Sequence, residues 1–179
     1  MPDPQRGTET LRPSTPTGRK RVAMVTHSFY ESDGRVTRYA EALASRGDTV
    51  EVFALKRDRS ALSREVRSGV TVHRIQSRSV REQQSSIAYL FPLLRFLLAS
   101  SWHLSHRHVR QRYDVVHVHN IPDFLVFAAW LPRLTGAAVI LDIHDIVPEL
   151  YGSKFTTGRE GTVIRLLKWV ELKSAQFAH

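Results

Sequence analysis

Cysteine is absent from the 179 residues, which excludes disulfide scaffolds, thiolate zinc sites, iron–sulfur ligation and cysteine nucleophiles. The N-terminus lacks the apolar stretch of a secretory signal, since residues 1–21 are mainly Pro, Thr and Arg with five basic against two acidic side chains. No run of about 18 apolar residues occurs anywhere, so no segment is expected to span a bilayer, and a cytoplasmic location is expected. Acidic side chains are missing altogether between Glu82 and Asp114. That window instead carries Arg95, Arg107, Arg110 and Arg112 with His103, His106 and His108.

What the chain does have is an ordinary globular apolar content, 42% hydrophobic with 9 Gly, enough to bury roughly two-thirds of the unfolded surface. Its formal charge is +9, but unevenly spread. From Asp114 to Lys154 the balance reverses, with five acidic residues against Arg133 and Lys154. One region reads as adhesive and the next as chemical, which a uniformly basic nucleic-acid coat does not show.

Residues 1–18 are too poor in apolar side chains to pack, and order is expected from Arg19. Val22–Thr26 reads as a buried, β-branched strand ending in the polar loop 27–34. Val36, Tyr39, Ala40, Leu43 and Ala44 then recur at helical spacing, and Gly47 stands where a C-terminal cap belongs. Thr49–Leu55 and Gly69–Ile75 are strand candidates separated by a charged connection, Lys56–Ser68. A long helix is expected over Ile87–Arg112, interrupted early by Pro92, then a strand over Asp114–Asn120. A helix from Pro122 to about Leu134, closed by Gly136, leads to a strand over Ala137–Asp142, and a last helix to Arg159–His179. Strands alternating with helices predict an α/β fold, a Rossmann-like, doubly wound parallel sheet with helices on both faces and one domain over 19–179.

In such a sheet the informative residues leave the strands at their carboxyl ends. After the first strand, Asp33-Gly34 opens a helix whose free N–H groups suit an anion such as phosphate; a plain Asp cap explains it equally. The loop is neither a dinucleotide fingerprint nor a P-loop, because it has one Gly and no G-K-[ST]. His117 and His119, at i and i+2 of a strand, point to one face and could share a metal, but no third ligand stands at a fixed spacing, so no metal is expected. The alternative is one His in the core and one in the crevice. At the next strand end, His144 can polarise a substrate hydroxyl while Asp145 or Glu149 orients it or accepts a proton; a capping cluster is the competing explanation. The Ile87–Arg112 region suits either a core helix or an anionic lipid surface, and no nucleic-acid motif accompanies its charge.

Three motifs in order, Val22-Ala23-Met24-Val25-Thr26 with Ser32-Asp33-Gly34-Arg35, Asp114–Asn120, and Asp142-Ile143-His144-Asp145-Ile146-Val147-Pro148-Glu149, resemble the N-terminal half of family 4 retaining glycosyltransferases of GT-B architecture. The resemblance runs from about Arg21 to His179. It implies an acceptor-side Rossmann-like domain facing a second domain that binds a nucleotide-sugar donor, the co-substrate, with no other cofactor. Carried onto this chain, it implies a donor phosphate and sugar loop at Asp33, Gly34 and Arg35, where many members carry two adjacent Gly. It implies His144 and Asp145 at the transferred sugar, and an acceptor lining of His27, His119, Asn120, Asp123 and Glu149. It further implies docking on the cytoplasmic membrane leaflet, here through Arg95, Trp102, Arg107, Arg110 and Arg112, toward a glycan or lipid-linked acceptor. The family's donor-binding C-terminal domain has no counterpart in these residues, so negligible transfer by this half alone is expected, with the second domain supplied in cis or in trans. A non-catalytic module binding a membrane surface or a partner chain, such as one subunit of a split transferase, is the alternative.

Overall fold

The computed structural model describes residues 18–58, 60–78, 86–119, 122–143 and 160–178. The expected N-terminal tail and the candidate residues Asn120, His144, Asp145 and Glu149 lie outside the described residues. Six strands form one sheet in the order β3-β4-β2-β1-β5-β6. They are β1 (Arg21–Thr26), β2 (Thr49–Lys56), β3 (Arg64–Arg67), β4 (Val70–Ser77), β5 (Val115–His119) and β6 (Ala138–Asp142). The central strands pair in parallel, β1 with β2 and β5, β2 with β4, and β5 with β6. Their near-continuous Val, Ala and Met runs are what a strand covered on both faces requires.

Alternation along β1 divides its side chains between two cores. Val22 and Met24 join Val50, Val52, Val70 and Val72 under helix α1 (Gly34–Ser45), which contributes Val36 and Ala40. Ala23 and Val25 join Phe53, Val116, Val118 and Val139 on the other face. That second face is covered by α2 (Ser86–Arg110), by a 3-10 segment over Asp123–Ala129 leading into α3 (Trp130–Leu134), and by α4 (Glu160–Phe177). Among the described residues no helix is long and apolar enough to cross a membrane.

Three local expectations are corrected. The charged connection Lys56–Ser68 contains β3, an antiparallel edge strand on β4, so the sheet is parallel-dominated and mixed. Arg-Glu-Val-Arg has no apolar periodicity to announce it; Arg74 of β4 holds it, donating to Glu65 at 2.7 Å and to the Leu62 carbonyl at 3.0 Å. Helix α2 runs through Pro92 without interruption, the proline falling in its second turn. Its carbonyl accepts from Gln76 Nε2 at 3.0 Å. The helix expected from Pro122 is 3-10 over Asp123–Ala129 and α-helical only over Trp130–Leu134.

Beneath α2, Glu51 on β2 accepts hydrogen bonds from Arg21 Nη2 (2.7 Å), Tyr113 Oη (3.0 Å), His73 Nε2 (3.2 Å) and Arg107 Nη1 (3.2 Å). Burial pushes its pKa up, but the bonds from His73 and Arg21 and the charge of Arg107 outweigh that and pull it down to about 2. The carboxylate therefore pins α2 and the starts of β1 and β5 to the sheet as a charged group.

Candidate functional site

Moving out from β1, the chain goes one way to β2 and the other way to β5, so the direction of the sheet reverses between β1 and β5. A crevice opens at the carboxyl end of such a junction. Register sets its walls, pairing Thr26 with His119, and His119 with Asp142. The side chains of His117, His119 and Asp142 consequently share the α1 face, where the imidazole rings of His117 and His119 lie 3.9 Å apart. Tyr39 of α1 lies against both, with ring centroids at 5.8 and 5.9 Å.

The start of α1 closes the crevice from the other side. Asp33 is the cap, its Oδ1 accepting from the Val36 N–H at 3.3 Å. Its Oδ2 accepts from Ser28 Oγ at 2.8 Å, and Ser28 is in turn 2.7 Å from Thr26 Oγ1. A Cβ added at Gly34 would meet nothing within 4 Å, so the first turn of α1 lies open to an approaching group. A helix start with this opening favours negative charge near its N–H groups, although the Asp33 carboxylate already occupies part of that field.

His119 is the buried member of the set, 1% exposed. Burial, reinforced by His117, lowers its pKa to about 4 against the opposing pull of Asp142, so the ring is neutral at neutral pH. A carboxylate only accepts, so the 3.3 Å contact with Asp142 Oδ2 places the proton on His119 Nδ1. Nε2 is left as a lone pair, buried without a hydrogen-bond partner among the described residues. An orphan of this kind costs about 1–3 kcal/mol, a cost retained where a bound group supplies the missing partner.

The sequence-predicted residues divide between the faces. Asp33, Gly34, Arg35 and His119 gather at this crevice. His27 follows β1 on the other face, its ring edge-on to Phe96 at 5.0 Å. Burial, with Arg78 nearby, lowers its pKa to about 4. Asp123 is buried at the start of the 3-10 segment, its pKa raised by burial and by Glu171 of α4. On α2, Arg95, Arg110 and Trp102 are exposed, as is Arg112 just past its end, whereas Arg107 turns partly inward to Glu51. Trp102, His103, His106, Arg107 and Arg110 line a basic hollow of about 590 Å³ with Arg21 and Gln111. Thr26, Ser28, Tyr39 and Asp142 were not singled out as site residues from the sequence, and His117 was considered there only as a metal ligand beside His119. Aligning the carboxyl ends of the fourth and fifth predicted strands is the signal that places Asp142 beside His119.

These features define an open Rossmann-like α/β domain with a polar, histidine-bearing crevice at its switch point. Residues 34–179 match the pattern of the glycosyl transferase 4-like domain, and the chain belongs to that family, a glycosyltransferase-type domain. Sucrose-phosphate synthase from Thermosynechococcus elongatus is similar in structure, at 15% identity and a TM-score of 0.57, over 84% of this chain and 39% of that one. A second structure of that synthase gives 18% identity and a TM-score of 0.50, over 70% and 64% of the two chains. The C-terminal domain of a Pyrococcus furiosus hydrogenase is also similar, at 13% identity and a TM-score of 0.52, over 71% and 94%. Such identities speak for the fold alone. The chain thus spans about two-fifths of the synthase. No curated protein matches the sequence.

Proposed function

We propose that this domain forms the acceptor-side half of a retaining glycosyltransferase, which moves a hexose from a nucleotide-sugar donor to a glycan or lipid-linked acceptor. The observation that carries the reading is the meeting of the α1 start, Asp33-Gly34-Arg35, with the neutral His119 at the switch point of a family glycosyltransferase domain. The donor's diphosphate approaches the first turn of α1. The acceptor hydroxyl lies against the carboxyl ends of β5 and β6, where His119 Nε2 offers a lone pair, joined by Asn120, Asp123 and Glu149. His27 belongs to the acceptor lining only for an acceptor long enough to reach past the sheet edge to the α2 face. His144 and Asp145 keep the role the resemblance implies, His144 hydrogen-bonding the transferred sugar and Asp145 orienting it. Transfer in this geometry works by positioning and by stabilising the leaving phosphate, so it needs a second Rossmann-like domain in cis or in trans.

Exposed apolar and basic side chains of α2 support a peripheral docking role on an anionic, cytoplasmic membrane face. They include Leu94, Leu98 and Trp102 beside Arg95 and Arg110, with Arg112 just past the helix end. The transfer reading is tested by mixing this chain, alone and together with a donor-binding domain, with a panel of nucleotide sugars and membrane extract, and following labelled sugar. Transfer is expected only with both domains, and His144→Ala is expected to lower it by at least 100-fold with the fold intact. An unchanged rate in that variant removes His144 from the mechanism.

A further inference from the structure

We propose that His117, His119 and Asp142 form a binding site for a divalent metal ion of the zinc class, with two imidazoles and one carboxylate as its protein ligands. The two histidines are i and i+2 on β5, and parallel register sets Asp142 of β6 directly beside His119. One ligand atom from each residue lies within 4.8 Å of the others. Two ligands sharing a tetrahedral ion at about 2.0–2.1 Å stand roughly 3.3–3.4 Å apart, so closure around an ion asks for side-chain movements of no more than about 1.5 Å. One pair already has that spacing, His119 Nδ1 to Asp142 Oδ2 at 3.3 Å, a separation long for a charge-assisted hydrogen bond, and an ion bound there takes the Nδ1 lone pair as the ring proton moves to Nε2.

The donor set selects the ion. Two imidazoles with one carboxylate suit Zn²⁺ or Co²⁺, whereas Mg²⁺ and Ca²⁺ require oxygen-rich shells. His117 also lines a groove of about 550 Å³ with Tyr39, Val115 and Ile140. Three protein ligands leave a fourth tetrahedral position for water or for an oxygen of a bound molecule. The inference does not depend on the transferase reading, and its test reads metal directly.

The test uses the 179-residue chain, free of any affinity tag and stripped with chelator, titrated with Zn²⁺ by calorimetry and with Co²⁺ by visible absorption. One equivalent is expected to bind, with the intense d–d bands of four-coordinate cobalt bearing nitrogen ligands. His117→Gln and Asp142→Asn are each expected to weaken binding by 10- to 100-fold or more. The double variant His103→Ala with His106→Ala removes the two α2 imidazoles that line the basic hollow and is expected to leave affinity unchanged. Absence of stoichiometric binding at millimolar metal, a weak six-coordinate cobalt spectrum, or binding abolished by the α2 variant and indifferent to Asp142→Asn each overturns the proposal. The cobalt spectrum of the unaltered chain decides the question even if a variant fails to fold.

Discussion

Two glycines bracket α1 under opposite demands. Gly47, just past its end, has φ +98°, a left-handed conformation that lets Gly47 N–H and Asp48 N–H reach the Ala44 and Leu43 carbonyls. Nothing lies within 4 Å of an added Cβ there, so any cost of substitution comes from the backbone alone. Gly47→Ala is expected to destabilise the domain by about 1–2 kcal/mol. Gly34 is helical, without a positive φ, and equally open around its missing Cβ. Gly34→Ala is therefore expected to leave stability unchanged or raise it by up to about 1 kcal/mol, since Ala is the better helix former. Urea unfolding of the two variants checks this contrast, and a Gly47→Ala variant as stable as the parent would contradict it. Because Gly34→Ala leaves the fold intact, a fall in transfer in that variant would report the close approach of a ligand to the α1 start.

At the scale of elements, α2 has two faces of different character. Leu93, Phe96 and Leu104 pack against the sheet, while Leu94, Leu98 and Trp102 stand 43%, 70% and 69% exposed. Arg110 and Arg112 are exposed beyond them, but Arg107 is tied to Glu51. Each basic residue near an anionic surface adds about 1 kcal/mol, so the double variant Arg110→Gln with Arg112→Gln should lower partitioning onto phosphatidylserine vesicles by roughly 30-fold at low salt. Thermal stability should hardly move, and neutral vesicles should bind neither form; equal partitioning of the variant and the parent would leave α2 without a membrane role. The central strands were legible because each is a β-branched run bounded by turn residues, and α1 because its apolar positions repeat at helical spacing. Strand β3 was not, because an Arg-Glu-Val-Arg stretch is specified by Arg74 across the sheet rather than by its own pattern. The pairing of His119 with Asp142 was hidden for a related reason, since it is fixed by register between strands 23 residues apart. The separation of His27 from His119 follows from alternation past the end of β1, and one residue of uncertainty in that end reverses it.

The molecule as a whole should be acid-sensitive in two stages, and the sign follows from which state holds more protons. His27 has its pKa lowered from 6.5 to about 4 by burial and by Arg78, so between those values the unfolded chain binds a proton that the folded one does not. Stability conferred by the neutral ring is complete above pH 6.5 and is lost as pH falls toward 4. The pKa values of His103 and His108 are lowered chiefly by burial, and they act in the same direction. Glu51, pulled from 4.5 to about 2, adds a second stage, because its ion pairs are complete above pH 4.5 and are lost as pH falls toward 2. The first stage should cost on the order of 2 kcal/mol from His27 alone. Urea midpoints measured in chelator across both windows check the profile. His27→Phe, which keeps a ring against Phe96, should shrink the upper stage to what His103, His108 and His119 contribute and spare the lower one, whereas Glu51→Gln should lower stability at neutral pH and diminish the lower stage. A midpoint that stays level from pH 6.5 to 4 would mean that the His27 ring takes up its proton as readily folded as unfolded, and that α2 does not seal that end of the sheet from water.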